Sequence, residues 1–379
     1  MEQDLPPRPL AVYLHIPFCL SSCGYCSFFS VKYSTSGVRK YLRHQHREID
    51  LFEKKAGFRI KARTLYLGGG TPSLLTPEQI NALCGRFFLE SGAEVTLEIN
   101  PVQITRDFLK ELANTSINRL SIGLQSMIDD ELAFLGRRHR SSQMPQKIKL
   151  CREHGFDNIS LDLIYGLPGT GEERLQTNMT KYLALGPEHI SAYLLSLEGD
   201  TTLGRELETG KISLPDEDNL VAQYETLRLG LTAAGYEHYE ISNFCRPGYA
   251  SRHNITYWKN EPYLGLGASA SGWLPPWRYA NPPNLEQYYR IIEKNEVMPG
   301  AEECSRERIK MDYIMMGLRL LEGLDLADYR CRFGSDLYEE KSTEIEKLRE
   351  LNMLEMKDDK LRLTGQALFV SNRVIGELL

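Results

Sequence analysis

Six short apolar runs alternate with helical patterns through the first half of this 379-residue chain, and this alternation constrains its fold. The runs predict β-strands at residues 11–15, 63–67, 94–99, 118–124, 158–164 and 188–195. The stretches between them are long enough for crossover helices, which place successive strands in parallel. One helix start is well marked, because Thr-Pro-Glu-Gln at 76–79 matches a capping box with proline in the first turn. The sequence therefore predicts an α/β fold with a partial (β/α)6 barrel.

Polar residues and glycines follow or close each predicted strand. A loop with three cysteines follows the first strand, and a Gly-Gly-Gly-Thr-Pro run at 68–72 follows the second. Glu98, Gln125 and Asp162 close later strands, and Ser196 follows the sixth. The carboxyl ends of parallel barrel strands form the face that carries the active site. Each residue alone has an ordinary role in a turn or helix cap, but their shared placement predicts one functional rim.

The loop after the first strand carries Cys19, Cys23 and Cys26 at C-x-x-x-C-x-x-C spacing. A four-iron cluster held by three thiolates keeps one iron open, whereas electron-transfer clusters normally use four cysteines. A zinc site is the alternative, but zinc motifs usually bring a second pair of ligands downstream. The other cysteines of this chain are scattered singly. The spacing therefore favours a [4Fe-4S] cluster whose open iron binds S-adenosylmethionine (SAM).

The composition limits the classes of protein to which this chain can belong. The chain is 42% hydrophobic, and its length is enough for one large domain and a small one. No apolar run of about 18 residues predicts a membrane span, and residues 1–9 lack the basic start and apolar core of a signal peptide. Free thiolates need a reducing compartment, so we expect a cytoplasmic protein. The net charge of −6 argues against non-specific binding of nucleic acid, which needs a basic surface.

The pattern changes after about residue 199. Residues 216–234 predict a helix, and 236–239 predict a seventh strand. Residues 241–283 are rich in glycine, asparagine, proline and aromatic residues, and we predict an irregular connection over 241–304. Two helices and a hairpin then predict a small, mainly helical, winged-helix-like domain that packs or docks a partner rather than binding DNA. We therefore divide the chain into a barrel at 1–240, the connection, and a C-terminal domain at 305–379.

The strand-end residues match the needs of SAM. Backbone groups of the glycine run approach the methionine amino group closely because glycine has no Cβ. Glu98 and Asp162 accept hydrogen bonds from ribose hydroxyls or an ammonium group, and Gln125 donates or accepts. Arg137 pairs with the methionine carboxylate. The alternative for Arg137 is a basic turn that faces solvent.

A second group of residues begins at His253, in a His-Asn-Ile-Thr-Tyr-Trp run. Histidine is an axial ligand of haem iron, and Tyr257 and Trp258 offer an apolar wall for a flat macrocycle. The residues alone favour another interpretation, in which His253 is a hydrogen-bonded histidine packed against aromatic neighbours. Both interpretations stay open on these residues.

These runs together resemble the radical-SAM coproporphyrinogen-dehydrogenase-like family over nearly the whole chain. The matching runs lie at 13–26, 68–73, 98–101, 118–126, 135–139, 162–169, 189–198 and 239–258. The resemblance implies a partial barrel with a helical C-terminal domain, and a cluster held by Cys19, Cys23 and Cys26. It also implies a SAM site lined by Tyr13, Tyr25, Gly69, Gly70, Thr71, Glu98, Gln125, Arg137, Asp162 and Ser196. Ile99 and Thr170 depart from the residues usual in the family.

Phe28 separates two branches of that family. The dehydrogenases remove two propionate carboxyls of coproporphyrinogen III by oxidation, carry a further cysteine at this position and have a long N-terminal extension. Only ten residues precede Ala11 here. A branch of haem chaperones has Cys-x-Phe at this point and a His-Asn-x-x-Tyr-Trp run, as this chain does. The resemblance therefore implies haem contacts from His253, Tyr257 and Trp258.

These residues leave two functions open. The first is a haem chaperone that binds haem and passes it to an acceptor haem protein, for which a membrane location is one option. An electron donor would reduce its cluster, and a homodimer is compatible with it. The second is an enzyme, either an oxygen-independent coproporphyrinogen III dehydrogenase or another radical-SAM oxidase or methylase. The sequence leaves open whether SAM is cleaved or only bound.

Overall fold

The structure is a computed structural model, and it describes residues 9–379. The expectation that residues 1–9 lack a signal peptide falls almost wholly outside that part of the chain. Within residues 9–379, none of the helices combines the length and the hydrophobicity that a membrane crossing requires.

Strands and helices are numbered in chain order. The strands are β1 (Leu10–Ile16), β2 (Phe18–Cys19), β3 (Val31–Lys32), β4 (Lys61–Gly69), β5 (Phe88–Ile99), β6 (Arg119–Gln125), β7 (Ile159–Tyr165), β8 (His189–Leu194), β9 (Glu237–Glu240), β10 (Asn243–Cys245), β11 (Tyr263–Leu266), β12 (Ser271–Leu274), β13 (Trp277–Ala280), β14 (Glu302–Glu303), β15 (Leu324–Asp325), β16 (Leu354–Lys357) and β17 (Lys360–Leu363). The helices are α1 (Thr35–Ala56), α2 (Pro77–Cys84), α3 (Arg106–Leu112), α4 (Asp129–Phe134), α5 (Met144–Glu153), α6 (Glu172–Leu185), α7 (Thr202–Glu208), α8 (Glu217–Ala233), α9 (Arg252–Trp258), α10 (Leu285–Glu293), α11 (Arg306–Gly317), α12 (Leu326–Phe333), α13 (Leu337–Glu340), α14 (Ser342–Glu350) and α15 (Ser371–Gly376).

The six predicted strands are confirmed as β1, β4, β5, β6, β7 and β8, which are adjacent and parallel in a 12-stranded sheet. Helices follow these strands, and the predicted capping box at Thr76 is present at the start of α2. The α/β fold with a partial six-unit barrel is therefore confirmed. The sheet continues beyond the barrel on both sides, because β11 pairs in parallel with β1 and β10 pairs antiparallel with β8.

Side chains alternate between the two faces of the barrel strands, as the pleat requires. Leu65, Leu67 and Leu97 on one face are fully or almost fully buried in the apolar core. On the other face Tyr66 and Glu98 line an internal cavity. The barrel interior is therefore polar around Tyr66 and Glu98. The carboxyl ends of the strands carry the residues that the sequence predicted for a functional rim.

The segment 241–304 was expected to be irregular, and the structure corrects this. It contains β10 to β14 together with α9 and α10. Its strands are two to four residues long, which is too short for periodicity to reveal, and β11 is ordered by pairing with the edge of β1. The predicted seventh strand is β9, which lies at the edge of the sheet next to β10 and is antiparallel to it.

A buried carboxyl group joins this segment to the barrel. Glu48 of α1 is 2% exposed and accepts hydrogen bonds from the Gly267 amide at 2.8 Å, Asn281 Nδ2 at 2.7 Å and the Tyr288 hydroxyl at 2.8 Å. Burial raises the pKa of Glu48 to about 7, although these three hydrogen bonds oppose the shift. The segment is therefore packed into the main core through α1.

The C-terminal region has the mainly helical character that was predicted. Helices α11 to α15 surround a three-stranded sheet in the order β15, β17, β16, and the predicted hairpin is present as β16 and β17. The helix predicted at 337–351 is divided at Lys341, whose φ of −131° is not helical, into α13 and α14. The division of the chain at residues 240 and 304 stays a prediction.

Candidate functional site

A cavity of ≈ 590 Å³ opens at the carboxyl ends of the barrel strands. It collects the three cysteines and every residue predicted for the SAM site except Tyr13. The lining residues from those predictions are Cys19, Cys23, Cys26, Tyr25, Gly69, Gly70, Thr71, Glu98, Gln125, Arg137, Asp162 and Ser196. We call this space the cluster-side cavity.

The cysteine loop presents free, half-buried thiols to this cavity. The sulfur of Cys19 lies 3.6 Å from the Thr71 hydroxyl, and Arg137 donates a hydrogen bond to the sulfur of Cys23 at 3.6 Å. Within residues 9–379, no three His, Cys, Asp or Glu side chains are already gathered around a position for a metal ion. A four-iron cluster is larger than one ion, so its ligands stand further apart. Three free thiols that line one cavity therefore fit a cluster by the chemistry of their sulfur atoms.

Glycine is required where the run after β4 crosses the end of β1. Gly69 has a φ of +115°, and a Cβ atom there would lie 2.6 Å from Cε1 of His15. A Cβ atom on Gly70 would lie 2.8 Å from the carbonyl oxygen of Phe18. Only residues without side chains allow this contact, which keeps backbone groups of the run at the cavity wall.

Gln125 ends β6 in a conformation that few residues adopt. Its φ is 71°, in the left-handed region, and it is 8% exposed. For a residue other than glycine this conformation is costly and is retained where surrounding contacts demand it. The backbone turn places Gln125 in the cavity wall, at the position predicted for it.

Two carboxyl groups share the barrel interior. Glu98 accepts hydrogen bonds from the Tyr66 hydroxyl at 2.9 Å and from the Gly69 amide at 3.1 Å. Burial, followed by the charge of Asp162, raises the pKa of Glu98 to about 7. Burial raises the pKa of Asp162 to about 6. A cationic or hydroxyl-rich ligand in the cavity would stabilise the ionised forms of both groups.

The unliganded protein is expected to lose stability as the pH rises from about 4.5 to about 7, in part because of Glu98. Its folded pKa of about 7 lies above the usual 4.5, so the folded state binds more protons in this window and unfolding becomes easier as pH rises. Chemical unfolding across that range should show a flatter profile for Glu98→Gln, by roughly 1–3 kcal/mol. Glu198→Gln, at an exposed position, is the control. An unchanged profile in Glu98→Gln would contradict the shifted pKa.

Arg137 joins the wall of the barrel to the cysteine loop. It donates a hydrogen bond to the Gly123 carbonyl at 2.5 Å as well as to Cys23. Its Nε is buried and has no partner among residues 9–379. The side chain is therefore held at the cavity by β6, and part of its hydrogen-bonding capacity remains for a ligand.

Several cavity residues were missed by sequence reasoning. They come from the inward rows of the strands and from α9: Tyr66, Arg119, Ser121, Ser191, Tyr193 and Asn254. A signal was present for the strand residues, because positions two apart along a strand share a face. Tyr66 precedes Gly68 by two positions, and Ser191 and Tyr193 are also two apart. Asn254 is part of the His-Asn-Ile-Thr-Tyr-Trp run, but its place in this cavity follows from how α9 packs in the folded chain.

A second cavity of ≈ 410 Å³ contains the aromatic residues of the His-Asn-Ile-Thr-Tyr-Trp run. Its lining residues are Tyr13, Tyr257, Trp258, Asn260, Tyr263, Ser271, Arg278 and Met316. Tyr13 lines this second cavity rather than the cluster-side cavity, but its ring lies beside that of Tyr66 with centroids 6.1 Å apart. Its hydroxyl is 3.0 Å from Nδ1 of His15, and its role toward SAM stays a prediction. Helix α9 contacts the barrel through Thr64 of β4 and Glu94 of β5, two residues that pair with each other in the sheet. The run therefore lies against the barrel wall, with Asn254 at the cluster-side cavity and Tyr257 and Trp258 at the second cavity.

His253 is buried between the two cavities. It is 1% exposed, its Nδ1 lies 2.8 Å from the Thr64 hydroxyl oxygen, and its Nε2 lies 2.7 Å from the Tyr257 hydroxyl oxygen. Its ring stacks on Tyr66 with centroids 5.0 Å apart. Burial, and then the charges of Arg119 and Arg63, lower the pKa of His253 to about 3. Iron coordination by this neutral imidazole would require one of its two hydrogen bonds to open, so the haem role of His253 stays a prediction.

Comparisons with known proteins agree with this geometry. The family model described as Radical SAM superfamily matches residues 13–180, and that described as HemN C-terminal domain matches residues 312–370. The chain is 33% identical to the heme chaperone HemW of Lactococcus lactis subsp. lactis (strain IL1403), covering 98% of each chain. It is 32% identical to the heme chaperone HemW of Bacillus subtilis (strain 168), covering 97% of this chain and 99% of that one. The chain belongs to the HemW family.

A solved structure shares the fold of this HemW-family chain. Coproporphyrinogen III oxidase (HemN) from Escherichia coli, described as a radical SAM enzyme, superimposes with a TM-score of 0.84. The match covers 99% of this chain and 91% of that chain at 22% sequence identity. At this identity the match establishes the common architecture, in which a partial barrel is followed by a helical C-terminal region.

An apolar rim surrounds the mouth of the cluster-side cavity in this HemW-family chain. Phe28 is 72% exposed, and Leu20, Val102, Tyr193 and Leu194 are also exposed although large and apolar. All five line the same cavity. Exposed apolar side chains gathered at one place mark a binding surface. The rim therefore offers an apolar contact to a ligand larger than the polar interior alone would hold.

Proposed function

We propose that this chain is a haem chaperone that carries a SAM-liganded [4Fe-4S] cluster and delivers haem to an acceptor haem protein. The observation that carries the proposal is the convergence of Cys19, Cys23 and Cys26 on the same cavity as Glu98 and Asp162, in a chain of the HemW family. Free, half-buried thiols fit a reducing compartment, and we infer a cytoplasmic location. An electron donor, an acceptor haem protein and a homodimer belong to the same proposal.

The residues of the cluster-side cavity have distinct proposed roles. Three thiolates would hold three irons, and a cluster with bound SAM supplies one-electron chemistry at the SAM sulfonium. Arg137 would pair with the methionine carboxylate, because its guanidinium is held at the cavity wall and has a free Nε. Glu98 and Asp162 would accept from ribose hydroxyls or the ammonium group. Gly69 and Gly70 would bring their backbone close to the same ligand.

For haem, we propose contacts from His253, Tyr257 and Trp258. Neutral imidazole is the form that ligates iron, and burial beside two arginines keeps His253 neutral. Release of the hydrogen bond between Nε2 and Tyr257 would free a coordinating nitrogen. The aromatic side chains of Tyr257 and Trp258 would then contact the macrocycle or its surroundings.

A haem titration of the anaerobically reconstituted protein tests the chaperone. We expect saturable binding of about one haem per chain, followed by transfer of that haem to an apo-haem protein such as apomyoglobin. The measurements are the visible spectrum of the bound haem and the spectrum of the acceptor after separation. Absence of saturable binding would contradict the proposal.

The polar interior also suits radical chemistry on a substrate, so an enzyme is the second candidate. Incubation with coproporphyrinogen III, SAM and a reductant distinguishes the enzyme from the chaperone through 5′-deoxyadenosine and oxidised porphyrin product. Turnover of this substrate, without transfer of haem to the acceptor, would replace the chaperone by an oxygen-independent dehydrogenase.

A further inference from the structure

The floor of the cluster-side cavity carries an arginine that forms no ion pair within residues 9–379. Arg119, the first residue of β6, is 2% exposed and lines this cavity. Its Nε is buried without a hydrogen-bond acceptor, and Arg119 forms no ion pair among residues 9–379. Guanidinium is a planar fork of five donors and stays charged. Burying a charged group whose N–H donors lack acceptors costs free energy. Arg119 is therefore suited to bind a ligand that carries a hydrogen-bond acceptor.

The surroundings of Arg119 are arranged around its charge. Below it, His189 and His253 are buried, and its charge helps to lower the pKa of both, so they stay neutral. On the cavity side, Glu98 and Asp162 feel its charge but form no ion pair with it. The two carboxyls are also raised in pKa by burial, which reduces their own negative charge near neutral pH. The positive charge of Arg119 is therefore only partly neutralised by the neighbouring carboxyl groups.

We propose that Arg119 anchors a carboxylate of the tetrapyrrole cargo, so that haem enters the cluster-side cavity with a propionate on its floor. This inference rests on the proposed haem-binding function. A carboxylate matches the guanidinium fork through two parallel hydrogen bonds. Haem combines such a carboxylate with a broad apolar body, and the cavity combines the Arg119 floor with the apolar rim that includes Phe28.

The second cavity lacks this complementarity. Its arginine, Arg278, is already paired with Asp312 at 2.9 Å and lies over the ring of Trp273 at 5.3 Å. The cluster-side cavity also receives Asn254, the neighbour of His253 in the haem-motif helix. Haem seated there would reach the helix of the motif through Asn254 and Arg119 through its propionate, whereas Tyr257 and Trp258 line the second cavity.

The anchor is tested by comparing haem with an iron porphyrin that has no carboxyl group, iron etioporphyrin III. Visible titrations of the reconstituted protein should show haem binding at least about tenfold tighter than this probe. Arg119→Gln should weaken haem binding at least about tenfold and change the affinity for iron etioporphyrin III by less than about threefold. Arg119→Lys, which keeps the charge but not the fork, should fall between. Cluster content and circular dichroism report whether each variant is folded.

Arg278→Gln separates the two cavities and is expected to leave haem affinity within about threefold. Loss of haem affinity in Arg278→Gln but not in Arg119→Gln would place the propionate in the second cavity and overturn the anchor. If Arg119→Gln weakened the binding of haem and of iron etioporphyrin III equally, Arg119 would have only a structural role. Loss of SAM affinity with unchanged haem affinity would assign it to SAM instead. Wild-type protein that binds neither porphyrin would contradict the haem function itself, and the anchor with it.

Discussion

Replacing Cys23 by alanine is expected to abolish the broad visible absorbance of the iron–sulfur cluster after anaerobic reconstitution. The three cysteines of the loop are the thiolates that meet in the cluster-side cavity, and removal of one leaves two ligands for four irons. Absorbance together with iron and sulfide content measures the effect. SAM binding should be lost in parallel, because its proposed anchor is the open iron.

Cys331→Ala is the matched control. Cys331 is an exposed free cysteine of α12, away from the cysteine loop, so its removal should leave the cluster intact. A full four-iron cluster in Cys23→Ala would show that the ligands are assigned wrongly. Cluster loss in both variants would indicate a general effect on folding instead.

Replacing His253 by alanine is expected to lower the free energy of unfolding by about 2–4 kcal/mol. The ring is buried, stacks on Tyr66 and bonds through both nitrogens to Thr64 and Tyr257. Its removal leaves a cavity and two buried hydroxyls without this partner. Denaturant unfolding of the two proteins gives the difference, and a change below about 0.5 kcal/mol would contradict the buried geometry.

Because of this structural role, loss of haem binding in His253→Ala does not identify an iron ligand. Tyr257→Phe is the more specific variant, since it removes only the hydroxyl group that is hydrogen-bonded to Nε2 of His253. If His253 coordinates iron, this variant should bind haem at least as tightly as the wild type, at a stability cost of about 1 kcal/mol. Weaker haem binding with an altered iron spectrum would indicate that the Tyr257 oxygen is the ligand.

The parts of the fold with long, repeated local patterns were predictable from the sequence. The six barrel strands are buried runs of seven to twelve residues, apart from a six-residue β8, and their periodicity stands out against the helices between them. The short strands of 241–304 were not predictable, because two to four residues carry little periodic signal and β11 depends on pairing with β1. Edge pairing is a property of the folded sheet rather than of the segment.

The candidate site divides in the same way. Cys19, Cys23 and Cys26 are close in sequence, so their spacing alone pointed to one cluster, and strand ends placed Glu98 and Asp162 beside it. Only the folded barrel sets Tyr13 in the wall of the second cavity and buries His253, whose ring nitrogens meet the hydroxyls of Thr64 and Tyr257. Only it places Arg119 at the cavity floor with a buried Nε that has no hydrogen-bond partner among residues 9–379. Local spacing shows which ligands a loop can offer, whereas burial and hydrogen-bond partners depend on segments far apart along the chain, such as Thr64 and His253, which are 189 residues apart.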